Sequence, residues 1–248
     1  MTRGILGSQR EVPAVMREVP AVMREVPAVM REQDILIITG GSIDAKFARE
    51  YLSHNEFGHI IAVDRGLETA DALGLTPEYL VGDFDTVNPG ILEKYRNRSE
   101  VRIREYCPEK DDTDTQIAVL TALSAGSGDI VMLGATGTRF DHTLANLFLM
   151  EEALTKGRHC CMVDEKNRIW LADRSFLLPK KEAWGDYLSL IPLTDIVRPV
   201  TLRGVKYPLD GYTMKRIKGG LGVSNEITGE TAEVSFDEGI LIVVEAKD

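Results

Sequence analysis

The chain has 248 residues, 44% hydrophobic and 27% charged, with a formal net charge of −10. This is the balance of a folded globular protein of one large or two modest domains, and it excludes pervasive disorder. The negative charge argues against a non-specific nucleic-acid binder, which needs a basic footprint, and no apolar run approaches the roughly 18–20 residues that cross a bilayer.

The N-terminus lacks the apolar core of a signal peptide. Its first feature is a repeat: Arg-Glu-Val-Pro-Ala-Val-Met occurs three times, over 10–16, 17–23 and 24–30. The seven-residue period does not read as a coiled coil, because Pro13, Pro20 and Pro27 each remove a helix hydrogen bond and clash with the preceding turn. Residues 1–33 are expected to form a tail outside the main fold.

From residue 34 short apolar strands and helices alternate. Strands are predicted at 35–38, 60–63, 79–81, 101–104, 130–133 and 160–163. Helices are predicted over about 44–53, 67–73, 88–95, from Asp111 or Asp112 to 124, and over 140–156. The helix before Gly126 shows an apolar face of Ile117, Ala118, Leu120 and Leu123. This alternation predicts an α/β region with a mostly parallel sheet flanked by helices, spanning 34–165. From 166 to 248 short strands dominate, at 169–172, 175–178, 187–191, 200–205, 232–236 and 240–244, separated by turn signals that include Asp210-Gly211. That half predicts a smaller antiparallel β-sandwich or roll. The cysteines Cys107, Cys160 and Cys161 have neither disulfide-framework nor zinc spacing. Cys160 and Cys161, adjacent on a strand, face opposite ways as buried filler, which suits a reducing cytoplasm.

Acidic residues recur where strands end. Asp64 follows one strand, Asp83 and Asp85 the next, and Asp111, Asp112 and Asp114 open a helix after a third. Ligands of an open parallel sheet bind beyond the carboxyl ends of its strands. Gathered carboxylates there make sense with a hard cation, since Mg²⁺ takes one or two carboxylates, waters and phosphate oxygens. Asp83 and Asp85, two apart, project to one side if the segment is extended, and Gly82 lets the backbone approach a ligand. Each motif has a plainer reading as a turn residue or helix cap, and only their joint placement favours a metal–phosphate site. A fourth element runs from Gly134 through Thr136, Arg139, Asp141, His142 and Asn146. A glycine-bearing loop that enters a helix offers free amides to an anion, and Arg139 can clamp phosphate oxygens in two places. Asn146, one turn beyond His142, is placed to orient it.

In that order, Asp64-Arg65-Gly66, Gly82-Asp83-Phe84-Asp85-Thr86, Lys110-Asp111-Asp112-Thr113-Asp114 and the segment 134–146 resemble the motifs of the thiamine pyrophosphokinase family, from residue 35 to the C-terminus. The resemblance implies an enzyme that transfers a diphosphate group from ATP to thiamine, with Mg²⁺ as cofactor. It implies a homodimer with thiamine near the subunit interface, and neither a nucleic-acid nor a membrane partner. It implies Mg²⁺ on Asp83, Asp85 and Asp114. Asp64 and Arg139 would act in catalysis, and Asp111, Asp112, Thr136, Asp141, His142, Asn146, Ser224 and Asn225 in substrate binding. The last two stand in Gly222-Val223-Ser224-Asn225-Glu226. Thr86 replaces the family's frequent serine, no tryptophan matches the one found near thiamine in some relatives, and the heptapeptide repeat is foreign to the pattern. Two rival readings remain open at this point: a Mg²⁺-dependent phosphohydrolase or nucleotidyl transferase, and a non-catalytic nucleotide or thiamine sensor.

Overall fold

The computed structural model describes residues 24–25, 34–106, 112–137 and 139–248. The α/β part begins with β2 (Ile35–Ile38), α1 (Ala45–His54), β3 (His59–Val63), α2 (Gly66–Ala72), β4 (Tyr79–Gly82), α3 (Pro89–Arg96) and β5 (Arg102–Glu105). It continues through α4 (Asp114–Ala125), β6 (Ile130–Leu133), α5 (Phe140–Thr155) and β7 (Cys160–Val163). All six strands pair in parallel, in the order β7-β6-β2-β3-β4-β5. The chain leaves β2 in one direction to reach β3, β4 and β5, and later comes back to the other side of β2 with β6 and β7. The crevice between the loops after β2 and β6 is therefore the switch point of the sheet.

Caps match the local sequence. Asp44 caps α1 by accepting the Phe47 amide at 2.7 Å, and Asn88 caps α3 ahead of Pro89. Helices cover both faces of the sheet. Ile35, Ile37, Ile61 and Val63 pack with Ala118, Val119, Ala122 and Met150 of α4 and α5. On the opposite face, Leu36 and Ile38 pack with Tyr51 of α1 and Ala70 of α2, while Ala62 and Leu80 pack with Leu67 and Leu92. Leu120 does not belong to the buried face expected for its helix; it is 39% exposed, and Val119 takes the buried position. Cys160 lies in the core on the α4–α5 side and Cys161 in the core on the other. Burial raises both thiols, Cys161 to about 12, so neither supplies a thiolate near neutral pH.

The later strands are β8 (Asn167–Ala172), β9 (Phe176–Pro179), β10 (Tyr187–Pro192), β11 (Ile196–Arg203), β12 (Leu209–Lys215), β13 (Thr231–Ser235) and β14 (Leu241–Ala246). They divide between two sheets. β8, β14 and β10 extend the parallel sheet beyond β7 as antiparallel neighbours, giving nine strands. β9, β13, β11 and β12 form a second, antiparallel sheet. At its edge β1 (Arg24–Glu25) runs parallel to Phe176 and Leu177, so two residues of the repeat segment, expected outside the fold, join it. The rest of that segment and Cys107 lie outside the described residues. β12 was not expected, because Asp210-Gly211 reads as a turn. Gly211 instead takes its positive φ of 60° within the strand and donates its amide to Thr201 Oγ1.

One core joins the two sheets: Leu133, Val163, Trp170 and Ala172 meet Phe176, Leu178, Val200 and Val234. The Trp170 and Phe176 rings lie edge to face at 4.7 Å. Within this apolar layer Arg168 and Glu245 face each other across β8 and β14. The guanidinium donates to both Glu245 oxygens, at 2.8 and 2.6 Å, and to the Glu182 carbonyl. The same carboxylate accepts from Trp170 Nε1 and from the Trp184 amide. Both Glu245 oxygens and the Nε and Nη2 donors of Arg168 are thereby paired, which is what makes buried charge tolerable. Glu245→Ala leaves the Arg168 charge buried and uncompensated. It is expected to lower unfolding stability by about 3–5 kcal/mol, read from chemical denaturation, with Glu245→Leu combined with Arg168→Met recovering a large part of the loss.

Candidate functional site

Two glycine loops meet at the switch point. After β2 the chain runs Thr39-Gly40-Gly41, and the Thr39 amide bonds to the Leu133 carbonyl at the end of β6. A Cβ on Gly41 would lie 2.0 Å from the Gly134 carbonyl oxygen, and one on Gly137 would lie 2.9 Å from the Gly41 Cα. The two backbones touch without side chains between them, which only glycine permits. They leave a cleft of about 660 Å³ lined by Thr39–Gly41, Val63–Arg65, Thr86, Asp112–Thr115, Gly134, Ala135, Gly137, Arg139, His142 and Asn146. These residues follow the ends of five strands, β2 to β6, as the sheet topology requires.

Asp64 holds a left-handed φ of 46°, a conformation unfavourable for a non-glycine residue and concentrated at functional sites. Its carboxylate lies against β4, where a Cβ on Gly82 would stand 1.8 Å from Asp64 Oδ1. Gly82, expected to admit a ligand, instead makes room for this carboxylate. Nor is the Asp83–Asp85 segment extended. Phe84 has φ 58° and is buried, and Asp83 Oδ1 accepts the Asp85 amide at 3.2 Å. The buried Phe84 ring anchors a turn. Neither Asp83 nor Asp85 is among the residues lining the cleft, although Thr86 next to them is.

At α4 the cap is Thr113, whose Oγ1 accepts the Gln116 amide at 3.2 Å. The capping role suggested for Asp112 is thus filled by its neighbour, and Asp112 and Asp114 both line the cleft. Asp111 lies outside the described residues. Among the described residues no group of three His, Cys, Asp or Glu side chains forms a closed metal cage. Asp64, Asp112 and Asp114, with the hydroxyls of Thr86, Thr113 and Thr115 in the same lining, are hard oxygen donors. They suit Mg²⁺, which needs only one or two carboxylates beside water and phosphate oxygens.

The loop after β6 distributes its side chains differently from the expectation. Thr136 turns away from the cleft and donates to Asp164 Oδ2 at 2.6 Å, lining a neighbouring hollow of about 530 Å³. Asn146 is buried and donates to the Ala135 carbonyl at 3.0 Å, so it fixes the glycine loop rather than the His142 ring. His142 itself lines the cleft. Arg139 lines it too, with its guanidinium engaged by Asp141 at 3.2 and 2.6 Å. That hydrogen bond holds the Asp141 carboxyl below the usual carboxylate range.

Ser224 and Asn225 do not line this cleft. Ser224 has φ 56° and donates its amide to Ser189 Oγ at 3.0 Å. Asn225 is buried: its Oδ1 accepts the Tyr207 and Glu226 amides, and its Nδ2 donates to the Tyr207 carbonyl. Tyr207, Ile217, Leu221 and Val223 in this part of the chain are exposed. The cleft-lining residues that the sequence did not single out include Thr39–Gly41, Val63, Thr115 and the side chain of Arg65. The available signal was the same one used for the other motifs, a polar or glycine-bearing step directly after a strand.

Family models described as thiamin pyrophosphokinase, catalytic domain, and thiamin pyrophosphokinase, vitamin B1 binding domain, match residues 49–162 and 175–241. The chain is 32% identical over 191 residues to a thiamine pyrophosphokinase of Bacillus subtilis, covering 76% of this chain and 87% of that one. A crystal structure of thiamine pyrophosphokinase from Bacillus subtilis superposes with a TM-score of 0.77 at 28% identity, over 87% of this chain and 99% of that one. A thiamin pyrophosphokinase family protein from Enterococcus faecalis superposes with a TM-score of 0.73 at 31% identity, over 87% and 99%. With both family models matched in order along one fold, and the acidic strand ends gathered at its switch point, the chain belongs to the thiamin pyrophosphokinase family.

Proposed function

We infer that the chain transfers a diphosphate group from ATP to the hydroxyethyl arm of thiamine, giving thiamine diphosphate and AMP. The observation that supports this most strongly is the cleft at the switch point, where acidic and glycine-rich strand ends converge in a chain that matches both family models. The new bond joins the thiamine oxygen to the β-phosphorus of ATP, and the bond from that phosphorus to the α-phosphate oxygen breaks. The electron pair leaves with AMP. Such a transfer depends on alignment and charge neutralisation more than on covalent help.

Asp114 on the cleft wall, with Asp83 and Asp85 on the turn that presents Thr86, would hold Mg²⁺, and Asp112 and Asp111 would complete its surroundings. The ion supplies neutralisation of phosphate charge. Asp64, whose carboxylate lies against Gly82, would orient the thiamine arm or accept its hydroxyl proton. Arg139 and His142 would meet the phosphates, Arg139 by exchanging the Asp141 carboxylate for phosphate oxygens. Asn146 and Thr136 hold the glycine loop that those phosphates approach.

Thiamine recognition is assigned to Ser224 in the later strands, with Asn225 shaping the Tyr207 segment around it. Ser224 stays outside the cleft of its own chain, and apolar side chains are exposed both there (Ile217, Leu221) and on α5 (Phe140, Leu144, Phe148). These features support a homodimer in which thiamine lies near the interface. No helix among the described residues is long and apolar enough to cross a membrane. Free, buried Cys160 and Cys161 accord with a cytoplasmic location.

Incubation with ATP, Mg²⁺ and thiamine is expected to yield AMP and thiamine diphosphate in equal amounts. ADP with thiamine monophosphate would show a single-phosphate kinase, and ligand binding without products would show a sensor. Asp114→Asn and Asp85→Asn are each expected to cut kcat by at least about a hundredfold in a protein whose circular dichroism is unchanged; near-normal turnover of Asp85→Asn at saturating Mg²⁺ removes Asp85 from the metal site. Ser224→Ala should raise KM for thiamine more than KM for ATP. Asn225→Ala should also lower stability, by about 1–3 kcal/mol, because it orphans buried amide groups of the Tyr207 segment.

A further inference from the structure

The structure assigns a role to Arg65: we propose that its guanidinium binds the phosphate chain of ATP in the cleft. This rests on the diphosphate-transfer reading given above and adds a contact to it.

The cleft wall presents the carboxylates Asp64, Asp112 and Asp114 and, among the described residues, two arginines, Arg65 and Arg139. A polyphosphate chain needs cationic donors there beyond whatever its metal supplies. Arg139 is held in a two-point bond by Asp141 and must break it to serve. Arg65 has a much weaker commitment. Its nearest carboxylate oxygen is on Glu68 at 3.9 Å, and the other Glu68 oxygen accepts the Asn88 amide at 2.8 Å. At 61% side-chain exposure the Arg65–Glu68 pair is screened by solvent and contributes little.

The position of Arg65 is nevertheless fixed at its base. Its Cβ lies 3.6 Å from where a Cβ on Gly40 would stand, so the side chain starts beside the first glycine loop. Behind it, a Cβ on Gly66 would fall 2.0 Å from the Ile38 carbonyl oxygen, which pins the start of α2 to the end of β2. The preceding residue is the left-handed Asp64. The backbone at this turn is therefore held at two points while the long side chain stays free to close on an anion. A planar, permanently charged fork suits phosphate oxygens better than a lysine does.

The test is calorimetric binding of MgATP and of magnesium tripolyphosphate, an anion with no adenosine, together with steady-state kinetics. Arg65→Ala is expected to weaken both ligands about tenfold or more, to leave KM for thiamine within about twofold, and to raise KM for ATP in step with the binding loss. Arg65→Lys should recover part of the affinity. Glu68→Gln, which removes only the distant ion pair, should leave both affinities unchanged. Equal tripolyphosphate binding by the unsubstituted chain and Arg65→Ala would overturn the assignment, as would a Glu68→Gln loss matching that of Arg65→Ala, which would mark a structural role. Absence of MgATP binding by the unsubstituted chain would instead remove the underlying diphosphate-transfer reading.

Discussion

The close approach of two backbones at the centre of the parallel sheet sets the shape of everything above it. Gly41 sits so near the Gly134 carbonyl that a methyl group would overlap it. Because the loops after β2 and β6 meet there without side chains, the cleft is floored by backbone and walled by side chains from the flanking strand ends. One strand further on a glycine makes room for a side chain instead: Gly82 gives space to the Asp64 carboxylate. The glycines in these motifs thus serve packing within the protein first, and ligand approach through the shape that packing leaves.

Left-handed backbone recurs in the segments singled out from the sequence. The three non-glycine residues with positive φ among those described are Asp64, Phe84 and Ser224. Each falls within a segment that sequence reasoning had singled out for chemistry. A left-handed residue costs of order 1 kcal/mol or more, and the surroundings must hold it. Gly82 leaves room beside Asp64, a core pocket holds the Phe84 ring, and Ser189 Oγ accepts the Ser224 amide.

The two halves of the chain share one core. Trp170, Leu133 and Val163 pack with the second sheet, and the buried Arg168–Glu245 pair is enclosed where β8 and β14 continue the parallel sheet. The change of pattern near residue 165 marks a change in strand direction, from parallel to antiparallel, while the same sheet continues across it.

Much of this was legible in the sequence. Periodicity gave the strands and helices of the α/β part nearly in full, since short apolar runs bounded by glycine, and side-chain caps on α1, α3 and α4, leave few alternatives. Glycine and aspartate after successive strands pointed to the edge of the sheet where the cleft lies, because parallel topology brings all such ends together. Which side chains face the cleft was decided by tertiary structure alone. Whether Thr136 points to the cleft or to Asp164 depends on a partner distant in sequence, whether Arg139 is held by Asp141 depends on the local course of the loop into α5, and whether Asp83 and Asp85 lie on an extended strand or a turn depends on the positive φ of the buried Phe84. Composition and spacing determine that carboxylates gather at one edge; the contacts between loops determine which of them the cleft receives.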